Sequence, residues 1–172
     1  ISRPRPHPRT NTADYTRPDP MLGTEAEFRA LCEAAHRLDM KVILDGVYSH
    51  TGANSVYFDR YGVFGTGAYS RGEASPYYKW YSFRRYPDDY ECWWNFVTLP
   101  NVNELEESYL DYIIRDEDSV VAHWLALGAD GFRLDVADEL PDAFIACFKA
   151  RLRQLDPEAL LMGEVWEDAS NK

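Results

Sequence analysis

The stretch GFRLDVADEL, residues 131–140, decides the fold. It sets Arg133 and Asp135 two apart inside a short apolar run that follows Gly131. Alternation along a strand puts both charges on one face. Burying charge is costly unless it is paired or used, so the run predicts a strand, 131–135, whose end carries chemistry. Downstream, Pro141 opens the first turn of a helix. Phe144, Ile145, Phe148 and Leu152 fall on one side of it, and a strand over 160–164 follows. Upstream, Tyr112, Val120, Val121, Trp124 and Leu125 predict a helix broken near 116–118, with Gly128 near its C-cap. Further back, Thr24-Glu25-Ala26-Glu27 has the capping-box pattern, and Phe28, Leu31, Ala35 and Leu38 mark one helical face. Residues 40–45 then read as a buried strand ending in Asp45. Helices and strands alternate, which predicts an α/β fold with a parallel sheet.

Residues 51–104 keep neither period, and 15 of the 25 aromatic residues lie between Tyr57 and Phe96. Such a stretch inside a compact domain is expected to be a subdomain rather than a loop. Most of its aromatics are expected to form its core, with one or two of Tyr77, Trp80, Trp93 and Trp94 turned outward. Residues 1–10 are rich in Pro and Arg and read as an extended or disordered lead.

The whole sequence has 172 residues and a net charge of −11. That acidity argues against nucleic acid as a partner and against anionic membranes. No apolar run approaches the roughly 20 residues of a membrane span. Cys32, Cys92 and Cys147 show neither metal-ligand spacing nor a disulfide framework. A reduced, cytoplasmic setting is the expectation.

Three predicted strands end in Asp45, Asp135 and Glu164. In parallel α/β folds the carboxyl ends of strands face the ligand crevice. The strands of Asp135 and Glu164 are expected to be neighbours, which would put two carboxylates about 5–5.5 Å apart, the spacing used in retaining glycoside hydrolysis. In that reading Asp135 is the nucleophile, held ionised by Arg133. Glu164 is the general acid, its pKa raised by nearby negative charge and the apolar flank of Val165 and Trp166. Strand-end acids also cap helices or bind cations, and the spacing alone leaves those readings open.

DGVYSH (45–50), GFRLDVA (131–137) and GEVW (163–166) resemble, in order and spacing, three sequence regions of the α-amylase family of glycoside hydrolases. LPNVN (99–103) resembles the motif that closes the family's inserted domain, and NTADY (11–15) the segment after its second strand. The resemblance implies a (β/α)8 TIM barrel, retaining chemistry and α-linked glucan substrates. On it, Asp135 matches the nucleophile, Glu164 the acid/base, and Arg133 the arginine beside the nucleophile. His50 matches the histidine that contacts the sugar, Asp45 a supporting acid, and Trp166 joins the substrate-binding set. GFRLDVADEL (131–140) and GEVWEDAS (163–170) most resemble the neopullulanase and cyclomaltodextrinase-like side of the family, and Asp138-Glu139, standing where many endo-acting amylases carry Lys-His, tilt the expectation toward short maltooligosaccharides, cyclodextrins or pullulan. Such relatives often dimerise through an N-terminal domain, which makes the parent protein a candidate homodimer.

The barrel takes about 250 residues, so the expectation is a partial barrel. Residues 11–50 would run through the third strand, 51–104 form the inserted subdomain, and 105–172 supply the fourth and fifth strands. The family's third catalytic aspartate has no counterpart here, and the isolated chain is expected to be inactive. Thr10 stands where the family usually shows an aromatic residue, and residues 1–10 look unlike a barrel strand, which suggests a gene-boundary artefact or a reading-frame slip. No cofactor is required by this chemistry. Ser49 replaces the asparagine that binds calcium in calcium-dependent amylases, and a hydroxyl is the weaker ligand for a hard cation. An α-glucanotransferase would use the same residues. A non-catalytic homologue serving as a binding module should have lost the nucleophile or the acid, and both are retained.

Overall fold

The computed structural model describes residues 12–166 and 168. The expectation for residues 1–10 lies outside the described residues. In chain order the elements are helix α1 (Glu25–His36), strand β1 (Ile43–Gly46), helix α2 (Ala68–Arg71), strands β2 (Phe83–Arg85) and β3 (Asp89–Tyr90), helices α3 (Glu107–Leu110) and α4 (Val120–Ala126), strand β4 (Gly131–Leu134), helix α5 (Asp142–Leu155) and strand β5 (Leu160–Gly163). They divide between two compact units. One comprises residues 12–13 with His50–Asn101, the other Asp14–Ser49 with 102–166 and 168.

The larger unit is built on a parallel sheet ordered β1-β4-β5. Each crossover carries helix, as parallel pairing requires. β1 starts later than the sequence suggests, because the backbone of Val42 is taken by Asp130. Val42 N–H donates to Asp130 Oδ2 at 2.8 Å, and its carbonyl accepts from Asp130 N–H at 2.8 Å. The Asp130 carbonyl in turn accepts from Leu160 N–H at 2.9 Å, so one residue fastens the entry ends of all three strands. Gly131 follows at φ +153°, and a Cβ there would lie 2.1 Å from the Leu160 carbonyl oxygen. Only glycine lets β5 pair this closely.

Both expected caps of α1 form. Glu27 N–H donates to Thr24 Oγ1 at 3.3 Å, and Thr24 N–H donates to Glu27 Oε2 at 2.8 Å. The buried face differs from the expected one. It runs through Phe28, Cys32 and Ala35, while Leu31 and Leu38 are exposed. The edge-on ring pair of Phe28 and Trp124, 5.0 Å apart, orients the helix. Positions 28, 32 and 35 are then in phase (i, i+4, i+7), and Leu31 is turned about 100° away from Cys32. Cys32 sits close under α4, where a Cβ on Gly128 would meet its Cβ at 2.9 Å.

Helix α5 buries Phe144, Phe148 and Leu152 at four-residue intervals. Each such side chain contributes roughly 1.5–3 kcal/mol by burial. Phe148 packs edge-on to Phe132 of β4 at 5.3 Å and against Tyr48 at 5.4 Å. The fully buried Tyr109 donates its O–H to the Tyr48 carbonyl at 3.0 Å. The expected interruption between α3 and α4 is a wide π-helical turn over Asp111–Arg115 followed by a non-helical break.

The smaller unit has an aromatic core. Phe58, fully buried, touches the rings of Tyr69, Tyr81, Phe83 and Tyr90 at centroid distances of 4.7–6.0 Å. Trp80 and Tyr57 are buried beside it in this unit, whereas Trp94 is exposed. Residues 12 and 13 belong here rather than with the barrel segment of the expectation. Gly52 N–H donates to the Thr12 carbonyl and Val56 N–H to the Ala13 carbonyl.

Candidate active site

Three carboxylates converge on one guanidinium in the larger unit. Asp45 stands opposite Arg133 in the β1–β4 register, so both side chains leave the same face. Asp135 lies one residue beyond β4 on that face, and Glu164 one residue beyond β5. Arg133 Nη1 donates to Asp45 Oδ1 and, at 3.1 Å, to Asp135 Oδ1. Nη2 faces Glu164 Oε2 at 2.9 Å. The planar fork of arginine suits such multiple pairing.

Backbone pairing continues past the strand ends and fixes where the acids stand. Asp135 N–H donates to the Gly46 carbonyl at 3.0 Å, and Glu164 N–H to the Leu134 carbonyl at 2.9 Å. Val136 adopts a left-handed conformation, φ +46°, which is strained for a β-branched residue. Val136 N–H donates to Glu164 Oε2 at 3.2 Å.

Each carboxyl shifts in the direction opposite to the sequence expectation. Burial pushes the Asp135 carboxyl above its ordinary value, helped by the charges of Asp45 and Glu164, and outweighs Arg133. The Trp166 side chain and the Val136 N–H hold the Glu164 carboxyl below its ordinary value, with Arg133 adding to them. Three acids against one base leave an excess of negative charge. The half-buried Asp135 is shifted up, and the better-hydrogen-bonded Glu164 down.

His50 belongs to the other unit. It is buried, stacks on Trp93 at 5.1 Å, and pairs its backbone with Asn101. Trp166 is exposed, and its N–H donates to Asp138 Oδ2 at 3.2 Å. Among the described residues no group of three His, Cys, Asp or Glu side chains is placed to hold a metal ion, and Ser49 is buried. The sequence reading missed Val136 and Asp138. A valine gives no signal for left-handed backbone, and nothing in the sequence around Asp138 announces its bond to the Trp166 amide.

The sequence and fold of this chain are similar to those of known proteins. Residues 6–172 match the family model for the alpha amylase catalytic domain. The chain belongs to the alpha-amylase family. It is 39% identical to an amylopullulanase of Thermoanaerobacter thermohydrosulfuricus over 94% of its length, covering 12% of that protein. It is 33% identical to neopullulanase 2 of Thermoactinomyces vulgaris, covering 95% of this chain and 27% of that one. Among solved structures, the Nostoc punctiforme debranching enzyme superposes with a TM-score of 0.81 at 32% identity, over 94% of this chain and 33% of that one. The type III pullulan hydrolase of Thermococcus kodakarensis gives a TM-score of 0.77 at 32% identity, over 91% and 27%. The alpha-amylase family is one of glycosidases, and the chain spans about a third or less of each of these relatives. No helix among the described residues is long and apolar enough to cross a membrane.

Proposed function

We propose that this chain is the central part of a retaining glycoside hydrolase acting on α-linked glucans, with β1, β4 and β5 as the third to fifth strands of a (β/α)8 barrel and residues 51–104 as its inserted domain. The observation that carries the reading is the convergence of Asp45, Asp135 and Glu164 on Arg133 at the carboxyl ends of adjacent parallel strands. The amylopullulanase and neopullulanase relatives favour pullulan, cyclodextrins and short maltooligosaccharides as substrates.

Asp135 attacks the anomeric carbon while Glu164 gives its proton to the glycosidic oxygen, and the aglycone leaves. The resulting ester on Asp135 is opened by water, which Glu164, now a carboxylate, deprotonates. Arg133 aims Asp135 and Asp45 holds Arg133. On the resemblance, His50 contacts the sugar and Trp166 lines its path. In the free chain Glu164 is ionised against its donors, so catalysis needs the substrate to exchange those donors for the glycosidic oxygen. Desolvation by the bound sugar then raises the Glu164 carboxyl.

The isolated chain lacks the family's third aspartate and is inactive in this reading. The test is product analysis on pullulan, cyclodextrin and maltotriose, using the longer reading frame that carries this chain, beside Asp135→Asn. The expected result is release of short α-anomeric products, reduced on the order of a thousandfold or more in the variant. Inverted products, or an undiminished variant, would overturn the assignment. Measurable hydrolysis of maltotriose by residues 1–172 alone would overturn the fragment reading.

A further inference from the structure

The turn after β4 grips the segment after β5 at three points. Ala137 N–H donates to the Glu164 carbonyl at 2.8 Å. Val136 N–H donates to Glu164 Oε2 at 3.2 Å. Trp166 N–H donates to Asp138 Oδ2 at 3.2 Å. Two of these grips are backbone groups that any sequence could offer in this conformation. The third is a side chain. The two segments also press together closely, since a Cβ on Gly163 would stand 2.9 Å from the Ala137 Cβ. Between them the turn holds Val136 in its strained left-handed conformation, almost fully buried. Such a conformation persists only where surrounding contacts over-determine it.

We infer that Asp138 is a positioning residue for Glu164: its carboxylate ties down the Trp166 peptide, and so fixes the segment 164–166 that sets the Glu164 side chain against Arg133 and Val136. This rests on the assignment of Glu164 as acid/base, which it deepens. The tie acts through two links. It fixes the backbone two residues past the acid, where an untethered chain would swing freely. It also keeps the Trp166 side chain within reach of the Glu164 carboxyl, and that side chain is the largest influence holding the carboxyl low. Among the described residues the second oxygen of Asp138, Oδ1, is buried without a hydrogen-bond partner. Asparagine at 138 keeps the acceptor and removes the charge; alanine removes both.

The test is solution NMR on the chain, which needs no catalytic activity. Three observables are followed: hydrogen exchange at the Trp166 amide, the Glu164 carboxyl titration, and the Asp138 carboxyl titration. Asp138→Ala is expected to lose about tenfold or more of the Trp166 amide protection and to move the Glu164 midpoint upward, toward an ordinary glutamate. Asp138→Asn is expected to restore both in large part. In the wild-type chain the Trp166 amide resonance is expected to shift in step with Asp138 protonation. A folded Asp138→Ala chain with unchanged Trp166 protection and an unchanged Glu164 midpoint would overturn the inference. If that variant fails to fold, the wild-type titration decides, because a Trp166 amide indifferent to Asp138 protonation would equally overturn it. Activity of the longer protein is read separately, so loss of the glycosidase assignment would leave these outcomes standing, and the reverse also holds.

Discussion

Replacing Asp130 by asparagine tests how the sheet is anchored at the end away from the acids. Asp130 is mostly buried, and its carboxylate meets Val42 N–H at 2.8 Å, His36 Nε2 at 2.8 Å and Lys41 Nζ at 2.9 Å. Burial works against ionisation, but the Val42, Lys41 and His36 contacts outweigh it and pull the carboxyl from 3.8 down to about 2. At about 1.4 kcal/mol per tenfold, that gap corresponds to roughly 2.5 kcal/mol. Lys41 and His36 are largely open to solvent, and screening lowers the figure to about 1–2 kcal/mol. The sign follows from linkage. The folded state binds this proton more weakly than the unfolded chain, so the contribution is complete above about pH 4 and is lost as the pH falls toward about 2. Asparagine keeps an acceptor for Val42 and discards the charge. Urea unfolding followed by far-ultraviolet circular dichroism should find Asp130→Asn less stable by about 1–2 kcal/mol at neutral pH. The two proteins should converge in acid, and molar salt should narrow the neutral gap. A difference that stays constant from neutral pH down to about 2.5 would refute the electrostatic account.

Gly131→Ala should be far more damaging than its size suggests, because the new methyl would stand 2.1 Å from the Leu160 carbonyl at a φ of +153°. A loss of about 3 kcal/mol or more is expected in the same unfolding assay, and a loss under about 1 kcal/mol would mean that β5 can move aside. Glu104 behaves oppositely to Asp130: burial, reinforced by Glu139, pushes its carboxyl from 4.5 up to about 7. The folded state therefore holds this proton more tightly, and stability should fall as the pH rises from about 4.5 to about 7. Glu104→Gln should flatten that slope and stabilise the chain above it, as thermal melts across the range would record.

Local chemistry made much of this structure readable in advance. Thr24 and Glu27 cap α1 because their side chains answer each other three residues apart, a relation that needs no tertiary information. Phe144, Phe148 and Leu152 could be assigned to the core from spacing, and Arg133 with Asp135 to one face of a strand. The misreadings share a cause. Leu31 is apolar and its spacing points it inward, but the Phe28–Trp124 contact, nearly a hundred residues apart in sequence, sets the phase of the helix. The downward shift of Glu164 depends on which amide and which indole reach it, and those come from Val136 in a conformation valine seldom adopts and from Trp166 beyond the strand. Residues 12 and 13 take their place from hydrogen bonds to positions 52 and 56, which no periodicity announces.

The close seat of Cys32 beneath α4 gives the molecule an internal clock. Cys32 is only 1% exposed, and burial raises the thiol further from its reactive form. A thiol-modifying reagent can reach it only while α1 is lifted away from Gly128, so the labelling rate of this one atom times how often that seam parts in the native protein.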